Sequence, residues 1–255
     1  AVKDFLFREP EKAMFLCANL LRGGIVYEGR TFQGIYGAVF DAEGDVSGVV
    51  ALNWNGFLMA RAPEGVPAPL LREIFCRAQE NGIGLSGLMG PDDESEAARL
   101  ALGIGDDKVS CHKDETLFRL DLSRLILPPH HDDPALRTRK PRTEDLDLLS
   151  AWRYAYEVES LGSPASEKTK SGARESAKRQ IESGDYWILE SDGVPVSFGG
   201  FNARFPDIVQ LGGIWTPPEH RNRGYARILI AKFLQEARVQ GVERAVLFTM
   251  TPEAV

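Results

Sequence analysis

Hydrophobic and polar residues follow two different periods along this chain, and these periods predict its helices and strands. Apolar residues that recur every third or fourth position predict amphipathic helices, whereas alternating or short uninterrupted apolar runs predict strands. In the first half, the pattern predicts helices at 11–22, 68–79 and 94–102 and strands at 32–40, 46–53, 57–60, 83–89 and 116–122. The first half is therefore predicted to be a mixed α/β unit.

The second half repeats this order of elements. Its predicted strands are 136–139, 186–190, 195–201, 208–216 and 244–250, and its predicted helices are 143–160, 167–183 and 224–240. Both halves run helix, hairpin, strand, helix, strand, and a Val-Ser pair stands at matching places in the two hairpins, at 46–47 and 196–197. We therefore expect a degenerate internal duplication.

A polar, proline-rich stretch separates the two halves. Residues 127–134 contain three prolines, which remove backbone donors that a helix or a central strand needs. The sequence thus predicts a first domain at 1–125, a linker at 126–134 and a second domain at 135–255. Four linker residues could in principle ligate a metal, but neighbours in an extended segment point apart, so a solvated linker is favoured. These residues are His130, His131, Asp132 and Asp133.

Composition narrows the classes of function. The 255 residues are 43% hydrophobic and 26% charged, as in an ordinary globular protein, and the net charge of −7 argues against a nucleic-acid-binding surface. No apolar run approaches the roughly 20 residues that span a bilayer, and the first residues lack the layout of a secretory signal. We therefore expect a cytoplasmic protein without a membrane or nucleic-acid partner. The widely separated Cys17, Cys76 and Cys111 indicate neither a disulfide framework nor a zinc site.

Candidate chemistry is concentrated in a loop that leads into the helix predicted at 224–240. The first turn of a helix has unpaired amide donors and partial positive charge, so it is suited to an anion. Gly224 and Ala226 leave room for close approach, and Arg221 and Arg223 add charge and forked donors for phosphate oxygens. Two basic residues beside such a turn favour a diphosphate. The glycine spacings of a dinucleotide fold and of a nucleoside-triphosphate loop are both absent.

These loop residues match the pattern Arg/Gln-x-x-Gly-x-Gly/Ala and resemble the pyrophosphate loop of the GNAT superfamily of N-acetyltransferases. The positions are filled by Arg221, Asn222, Arg223, Gly224, Tyr225 and Ala226. The resemblance extends to the preceding strand, whose end in that family splays from its neighbour and binds pantetheine and the thioester carbonyl through free amides. Ile214, Trp215 and Thr216 occupy that place here. A basic surface turn after a bulged strand is the structural alternative.

The resemblance implies an α/β fold of two GNAT-like lobes, each a mixed and largely antiparallel sheet flanked by helices, in the tandem-GNAT arrangement. It also implies an N-acetyltransferase that moves acetyl from acetyl-CoA to a primary amine, on a small molecule or a peptide, by direct attack and without a metal. The first lobe is expected to be degenerate and to bind no CoA, because its equivalent loop at 64–69 has no arginine and two prolines. Its expected role is to shape the acceptor site. The identity of the acceptor and the oligomeric state stay open.

A general base near the splayed strand should be a carboxylate. Glu157, Glu159 and Glu219 lie in suitable segments, and we take Glu159 as the candidate base. Tyr156 and Asn202 are the candidate residues of the acceptor pocket. Each of these side chains also has an ordinary structural interpretation, as a solvated carboxylate, a packed ring or a hydrogen-bonding group.

The sequence departs from the family at its end. Residues 251–253 are a good helix start, and the family's next helix carries the tyrosine that protonates the thiolate. Because the sequence stops at Val255, we expect either that it is incomplete or that this helix and the final strands have been lost, and no general acid is assigned. The alternative function is therefore a non-catalytic module that binds CoA or an acyl-CoA and regulates a partner.

Overall fold

The chain divides into two units, Ala1–Glu115 and Thr116–Val255, and each unit has a sheet of its own. The computed structural model describes residues 1–250, so the helix start predicted at 251–253 lies outside the described residues. Among the helices that are described, none is long and apolar enough to cross a lipid bilayer.

The first unit is built on a four-stranded sheet. Its helices are α1 (Val2–Leu6), α2 (Met14–Gly23), α3 (Ala68–Glu80) and α4 (Asp92–Ala101), and its strands are β1 (Gly34–Phe40), β2 (Val46–Asn53), β3 (Phe57–Arg61) and β4 (Gly87–Met89). The strand order is β1-β2-β3-β4, with two antiparallel pairings followed by the parallel pairing of β3 with β4. The mixed α/β character predicted for this half is confirmed.

The strand predicted at 83–89 is shorter than the apolar pattern indicates, because its first residues make other contacts. The amide of Ile83 donates to the carbonyl of Ala78 near the end of α3, and the Ile83 side chain is buried in the core of this unit. The amide of Ser86 donates to the carbonyl of Gly56, just before β3. The parallel pairing with β3 is therefore limited to the three residues of β4.

The second unit is built on a six-stranded sheet. Its strands are β5 (Thr116–Asp121), β6 (Leu136–Arg139), β7 (Tyr186–Ser191), β8 (Val194–Arg204), β9 (Ile208–Trp215) and β10 (Arg244–Thr249), and its helices are α5 (Leu146–Glu159), α6 (Glu167–Ser183) and α7 (Tyr225–Val239). The strand order is β5-β10-β9-β8-β7-β6, antiparallel except for the parallel pairing of β9 with β10. A mixed, largely antiparallel sheet flanked by helices is thus confirmed for this unit as well.

The boundary between the units lies before the predicted domain limit at 125. The strand at 116–122, which the sequence pattern assigns to the first half, is a strand of the second sheet, since every residue of β5 pairs with β10. Leu122, which follows β5, is fully buried in the core of the second unit. The proline-rich segment at 127–134 therefore connects two strands of one sheet, because local composition marks a polar connection without showing which sheet the preceding strand joins.

Two apolar clusters cover the two faces of the second sheet. Trp187 and Phe201 from the sheet and Phe233 from α7 belong to the first cluster. Trp152 from α5 and Trp215 from β9 belong to the second, to which α6 also contributes. Successive strand residues point to opposite faces, so both clusters are supplied by the same strands. The sheet is consequently a central layer between α7 on one face and α5 with α6 on the other.

The start of α5 is held to the sheet by an ion-pair network. The Arg139 guanidinium on β6 donates to both carboxylate oxygens of Asp145, at 2.6 and 2.9 Å, and to Glu190 on β7 at 2.6 Å. The hydrogen bond from Arg139 lowers the pKa of Asp145 below its ordinary value. Asp145 immediately precedes α5, so the network fixes the beginning of the helix that carries Tyr156 and Glu159.

The same strand order occurs in both sheets. The sets β1-β2-β3-β4 and β7-β8-β9-β10 each consist of three antiparallel strands followed by a parallel fourth. A helix connects the last two strands in each set. In the first unit α3 connects β3 to β4, and in the second unit α7 connects β9 to β10. The predicted internal duplication accounts for this common order and stays a prediction.

Removing the Phe233 ring should destabilise the second unit. The ring is fully buried and packs on Trp187 and Phe201, with centroids 5.2 and 5.1 Å apart. We expect Phe233→Ala to lose about 3–5 kcal/mol of unfolding free energy in urea titrations followed by tryptophan fluorescence. Val239→Ala on the same helix is the control, because its side chain is 89% exposed and the change should stay below about 0.5 kcal/mol. Equal losses in both variants would contradict the assigned core.

Candidate functional site

Strands β9 and β10 are paired over only part of their length. Their parallel pairing covers the first three residues of each strand. Beyond Gln210, β9 continues to Trp215 beside β8, and β10 continues to Thr249 beside β5. Within residues 1–250, the far ends of the two strands therefore have no ladder partner on the sides that face each other. We call this gap the β9–β10 opening.

The end of β9 directs alternate backbone groups toward this opening. The Ser197 hydroxyl on β8 donates to the carbonyl of Trp215 at 3.1 Å, so the Trp215 backbone faces β8. Backbone groups of successive strand residues point to opposite sides, which turns the amide of Ile214 toward β10. The Ser197 hydroxyl also lies 2.9 Å from the hydroxyl of Thr216. The three predicted strand residues thus lie together beside the opening.

The predicted phosphate loop follows β9 and leads directly into α7. Gly224 is the N-cap of α7 and has a left-handed backbone, with φ of 77°. Asn222 is also left-handed, with φ of 62°, a conformation that asparagine adopts more readily than most residues. No side chain of the described residues caps α7, so its first amides remain available as donors. A Cβ on Gly224 would meet no atom within 4 Å, so the space in front of the helix end is open.

Arg221 joins the loop to the end of β9 and to α5. Its Nε donates to the carbonyl of Thr216 at 3.0 Å, its Nη1 lies 2.7 Å from Glu159 Oε1, and its guanidinium lies over the Trp215 ring at 4.8 Å. Arg223, two residues further along, is exposed. Two arginines therefore flank the start of α7, where the partial positive charge of the helix already favours an anion.

The three candidate carboxylates have different surroundings. Glu159 forms the ion pair with Arg221, and its side chain is 50% exposed. Glu157, two residues earlier, accepts a hydrogen bond from Arg153. Glu219 is exposed in a 3₁₀ turn that precedes the loop. Among the described residues, Glu159 is thus the candidate that forms an ion pair with a loop residue.

Tyr156 and Asn202 both lie on the side of the sheet that α5 and α6 cover, but they make different contacts. The Tyr156 ring is edge-on to the Trp215 ring at 6.2 Å, which places it at the end of β9. Asn202 on β8 accepts a hydrogen bond from the Tyr186 hydroxyl at 2.8 Å. Its amide also fills the space that a Cβ on Gly212 would need. Tyr156 is therefore brought to the β9 end, whereas Asn202 is engaged by its neighbour on β7.

Three polar residues near these positions are missed by the sequence reasoning. Ser197 and Arg153 stand in segments where the pattern predicts a strand and a helix but gives no sign of their partners. Gln180 is only 8% exposed, although α6 is a predominantly polar helix. The sequence does contain a signal that Gln180 is buried. It follows the buried Ala173 and Ala177 at intervals that place all three on the same helix face.

The corresponding segment of the first unit is built differently. Pro67 precedes α3, and Pro69 lies in the first turn of that helix. The carbonyl of Pro67 accepts hydrogen bonds from the amides of Leu70 and Leu71. A proline has no amide proton, so this turn presents fewer donors than the start of α7. The expectation that this unit binds no CoA stays a prediction.

Solved structures resemble this chain at low sequence identity. A GCN5-related N-acetyltransferase from Kribbella flavida is 16% identical, with 80% of this chain and 77% of that chain covered and a TM-score of 0.50. A GNAT-family acetyltransferase from Colwellia psychrerythraea is also 16% identical, with 96% and 85% covered and a TM-score of 0.48. The PaiA N-acetyltransferase from Thermoplasma acidophilum, in complex with coenzyme A, is 17% identical, with 42% and 74% covered and a TM-score of 0.36. No curated protein matches this chain.

The family match falls on the unit that contains the loop. Residues 152–254 match the acetyltransferase (GNAT) family. The matched segment begins on α5 and includes β7 to β10, the β9–β10 opening, the loop and α7. The structure from Kribbella flavida shares the fold over most of the chain. Residues 152–254 of the second unit are therefore matched as a GNAT-family acetyltransferase domain.

Proposed function

We propose that this chain is an N-acetyltransferase that moves an acetyl group from acetyl-CoA to a primary amine on a small molecule or a peptide. The observation that carries this proposal is the position of the loop at 221–226, at the start of α7 and directly beyond the end of β9. A diphosphate at the helix end and a thioester arm along the strand are then continuous parts of one ligand. Acetyl-CoA has both parts.

The proposed ligand contacts follow from the available donors. The CoA diphosphate takes the first amides of α7 together with Arg221 and Arg223. The pantetheine arm lies along Ile214, Trp215 and Thr216, and the Ile214 amide, which faces the opening, donates to the thioester carbonyl. A donor that is fixed in advance where negative charge develops stabilises the transition state more than the ground state.

The proposed reaction is a direct transfer. The amine nitrogen attacks the carbonyl carbon, the carbon–sulfur bond breaks, and CoA leaves as the thiolate. The proton that the amine loses passes to a carboxylate, for which Glu159 is the proposed base. Tyr156 and Asn202 are the proposed residues of the acceptor side. Neither a metal nor a covalent acyl-enzyme takes part in this proposal.

The ion pair between Glu159 and Arg221 links cofactor binding to this base. A diphosphate that engages Arg221 competes with Glu159 for the same guanidinium. Once the guanidinium has turned to the phosphate, the carboxylate is available to accept a proton from the amine. In this proposal, the base becomes active only when the cofactor is in place.

We further propose that the two units are tandem GNAT-like lobes, of which the first is degenerate. The common strand order of the two sheets supports this proposal. The absence of arginine in the segment 64–69, together with its two prolines, supports a first lobe without a CoA loop.

Reversing the charge of Arg223 should weaken the binding of acetyl-CoA. A hydrogen bond to a charged group is worth about 1.5–3 kcal/mol, so we expect Arg223→Glu to raise the dissociation constant at least about tenfold in calorimetric titrations. The matched control is Arg238→Glu, an identical charge change on an exposed residue at the other end of α7. Equal effects of the two variants, or none in either, would remove the loop assignment.

Replacing the proposed base should slow the chemical step. We expect Glu159→Gln to lower kcat by about 10²–10⁴. Glu219→Gln, an equal change at an exposed turn residue, should leave kcat unchanged. If Glu159→Gln alters only the KM for acetyl-CoA while kcat is kept, Glu159 is a positioning residue for Arg221 and the base assignment is wrong.

Acetyl transfer itself is tested with the intact chain, acetyl-CoA and a panel of amines. The panel contains a polyamine, an aminosugar, free lysine and an amino-acid amide. We expect release of CoA together with an acetylated product for at least one acceptor, measured by thiol titration and mass spectrometry. Tight binding of acetyl-CoA without any product would contradict the transferase and support the CoA-binding regulatory module.

A further inference from the structure

Strand β8 contacts the end of β9 through two small residues, Ser197 and Gly199. Ser197 is fully buried, and its hydroxyl donates to the carbonyl of Trp215 at 3.1 Å. At Gly199, an added Cβ would lie 2.4 Å from Cδ1 of Ile214 and 3.2 Å from its Cα. The two residues therefore lie against β9 at Ile214, whose amide is the proposed donor to the thioester carbonyl, and at the residue that follows it.

The pairing of β8 with β9 is irregular at this point. Between two regular pairs, one residue of β8, Gly199, stands opposite two residues of β9, Gly213 and Ile214. Gly213 has a left-handed backbone, with φ of 62°, as is typical of a glycine in a β-bulge. Because a bulge interrupts the ladder, regular pairing does not fix the direction of the Ile214 backbone. The contacts of β8 next to the bulge have to fix it instead.

The backbone beyond Ile214 is held by side chains. The Trp215 carbonyl can only accept, so the Ser197 hydroxyl directs its proton there. The Thr216 hydroxyl, 2.9 Å away, then donates to the Ser197 oxygen. The Thr216 carbonyl in turn accepts from Arg221 Nε at 3.0 Å. Two successive carbonyls are thus held, one by a side chain of β8 and one by a side chain of the loop.

The hydrogen bond to Trp215 also sets the direction of the Ile214 amide. Backbone groups of successive strand residues point to opposite sides, so a Trp215 carbonyl that is held toward β8 keeps the Ile214 amide turned toward the β9–β10 opening. Gly199 allows the close approach of the two strands, because a side chain there would press on the Ile214 backbone. A hydrogen bond weakens steeply as its donor turns away, so even a small rotation of this strand end matters.

We propose that Ser197 and Gly199 are positioning residues that aim the Ile214 amide at the thioester carbonyl. Neither residue touches the ligand. Ser197 acts by holding the Trp215 carbonyl, and Gly199 acts by leaving room for the Ile214 backbone. This inference rests on the proposed acetyl transfer and names the residues that fix the geometry of its thioester donor.

The first measurement compares acetyl-CoA with CoA, which lacks the thioester carbonyl. Both are titrated calorimetrically into the intact chain in the absence of an amine, so that no acetyl transfer takes place. We expect acetyl-CoA to bind about two- to tenfold more tightly, which corresponds to one amide–carbonyl hydrogen bond. Equal dissociation constants for the two ligands in the unaltered chain would overturn the proposal.

Removing the Ser197 hydroxyl should abolish this preference. We expect Ser197→Ala to bind acetyl-CoA and CoA with about equal affinity, to keep the dissociation constant of CoA, and to lower kcat about tenfold or more. Ser150→Ala is the matched control, since the Ser150 hydroxyl also donates to a backbone carbonyl, that of Leu146 within α5. It should change neither the preference nor kcat. An equal loss of affinity for both ligands in Ser197→Ala would show a structural role only and would overturn the proposal.

A methyl group at Gly199 tests the same amide from another position. In Gly199→Ala, the Ile214 backbone has to give way by a few tenths of an ångström. We expect the preference for acetyl-CoA to be lost here as well, with the affinity for CoA kept. Gly172→Ala on α6 is the control, because a Cβ there meets no atom within 4 Å. If Ser197→Ala does not fold, Gly199→Ala decides the question, and a preference retained in it overturns the proposal.

The binding measurements separate this inference from the proposed function. A preference for acetyl-CoA that both variants lose supports the positioning of the Ile214 amide even if no amine is acetylated. Conversely, an acetylated product together with a preference that both variants retain keeps the proposed function and overturns this inference. A chain that binds neither ligand contradicts both.

Discussion

The site depends on the point at which β9 and β10 stop pairing. The two strands share three ladder positions, whereas β10 pairs with β5 along the whole of β5. Since β10 follows β5 to its end while β9 follows β8, the sheet divides beyond Gln210, and on its β10 side the end of β9 has no strand beside it among residues 1–250. Polar backbone groups at a gap need partners, which the ligand that we propose supplies through its amide and carbonyl groups. The strand β5 is thus necessary to the opening, because it is the strand that β10 follows away from β9.

The position of the loop at 221–226 follows from this division of the sheet. A helix that returns the chain from β9 to the parallel β10 has to start at the end of β9, so its free amides lie next to the opening as a matter of topology. Arg221 then contacts the Thr216 carbonyl, the Trp215 ring and the Glu159 carboxylate at once. One guanidinium consequently joins the loop to the end of β9 and to the end of α5, and a change in its position affects all three.

Much of this arrangement is readable from the sequence because it is local. The loop at 221–226 and the helix after it are fixed by neighbouring residues, and the helix at 167–183 and the strand at 136–139 are predicted with the bounds observed. The assignment of 116–122 to the first half is wrong in the structure, because pairing with β10 joins residues more than a hundred positions apart and leaves no local trace. The ion pair of Glu159 with Arg221 is hidden for the same reason: periodicity shows which face of a helix is buried but not what the face meets.

The arginines of the second unit have different electrostatic surroundings. The start of α7 gathers two arginines and the positive end of a helix in a chain of net charge −7, so it is a local region of positive charge. On α5, the charge of Arg153 is instead compensated by its ion pair with Glu157. An acidic protein attracts amines of every kind through its overall field, so charge alone distinguishes poorly among them. Hydrogen-bonding groups distinguish better, since a ligand without the matching group leaves them unpaired.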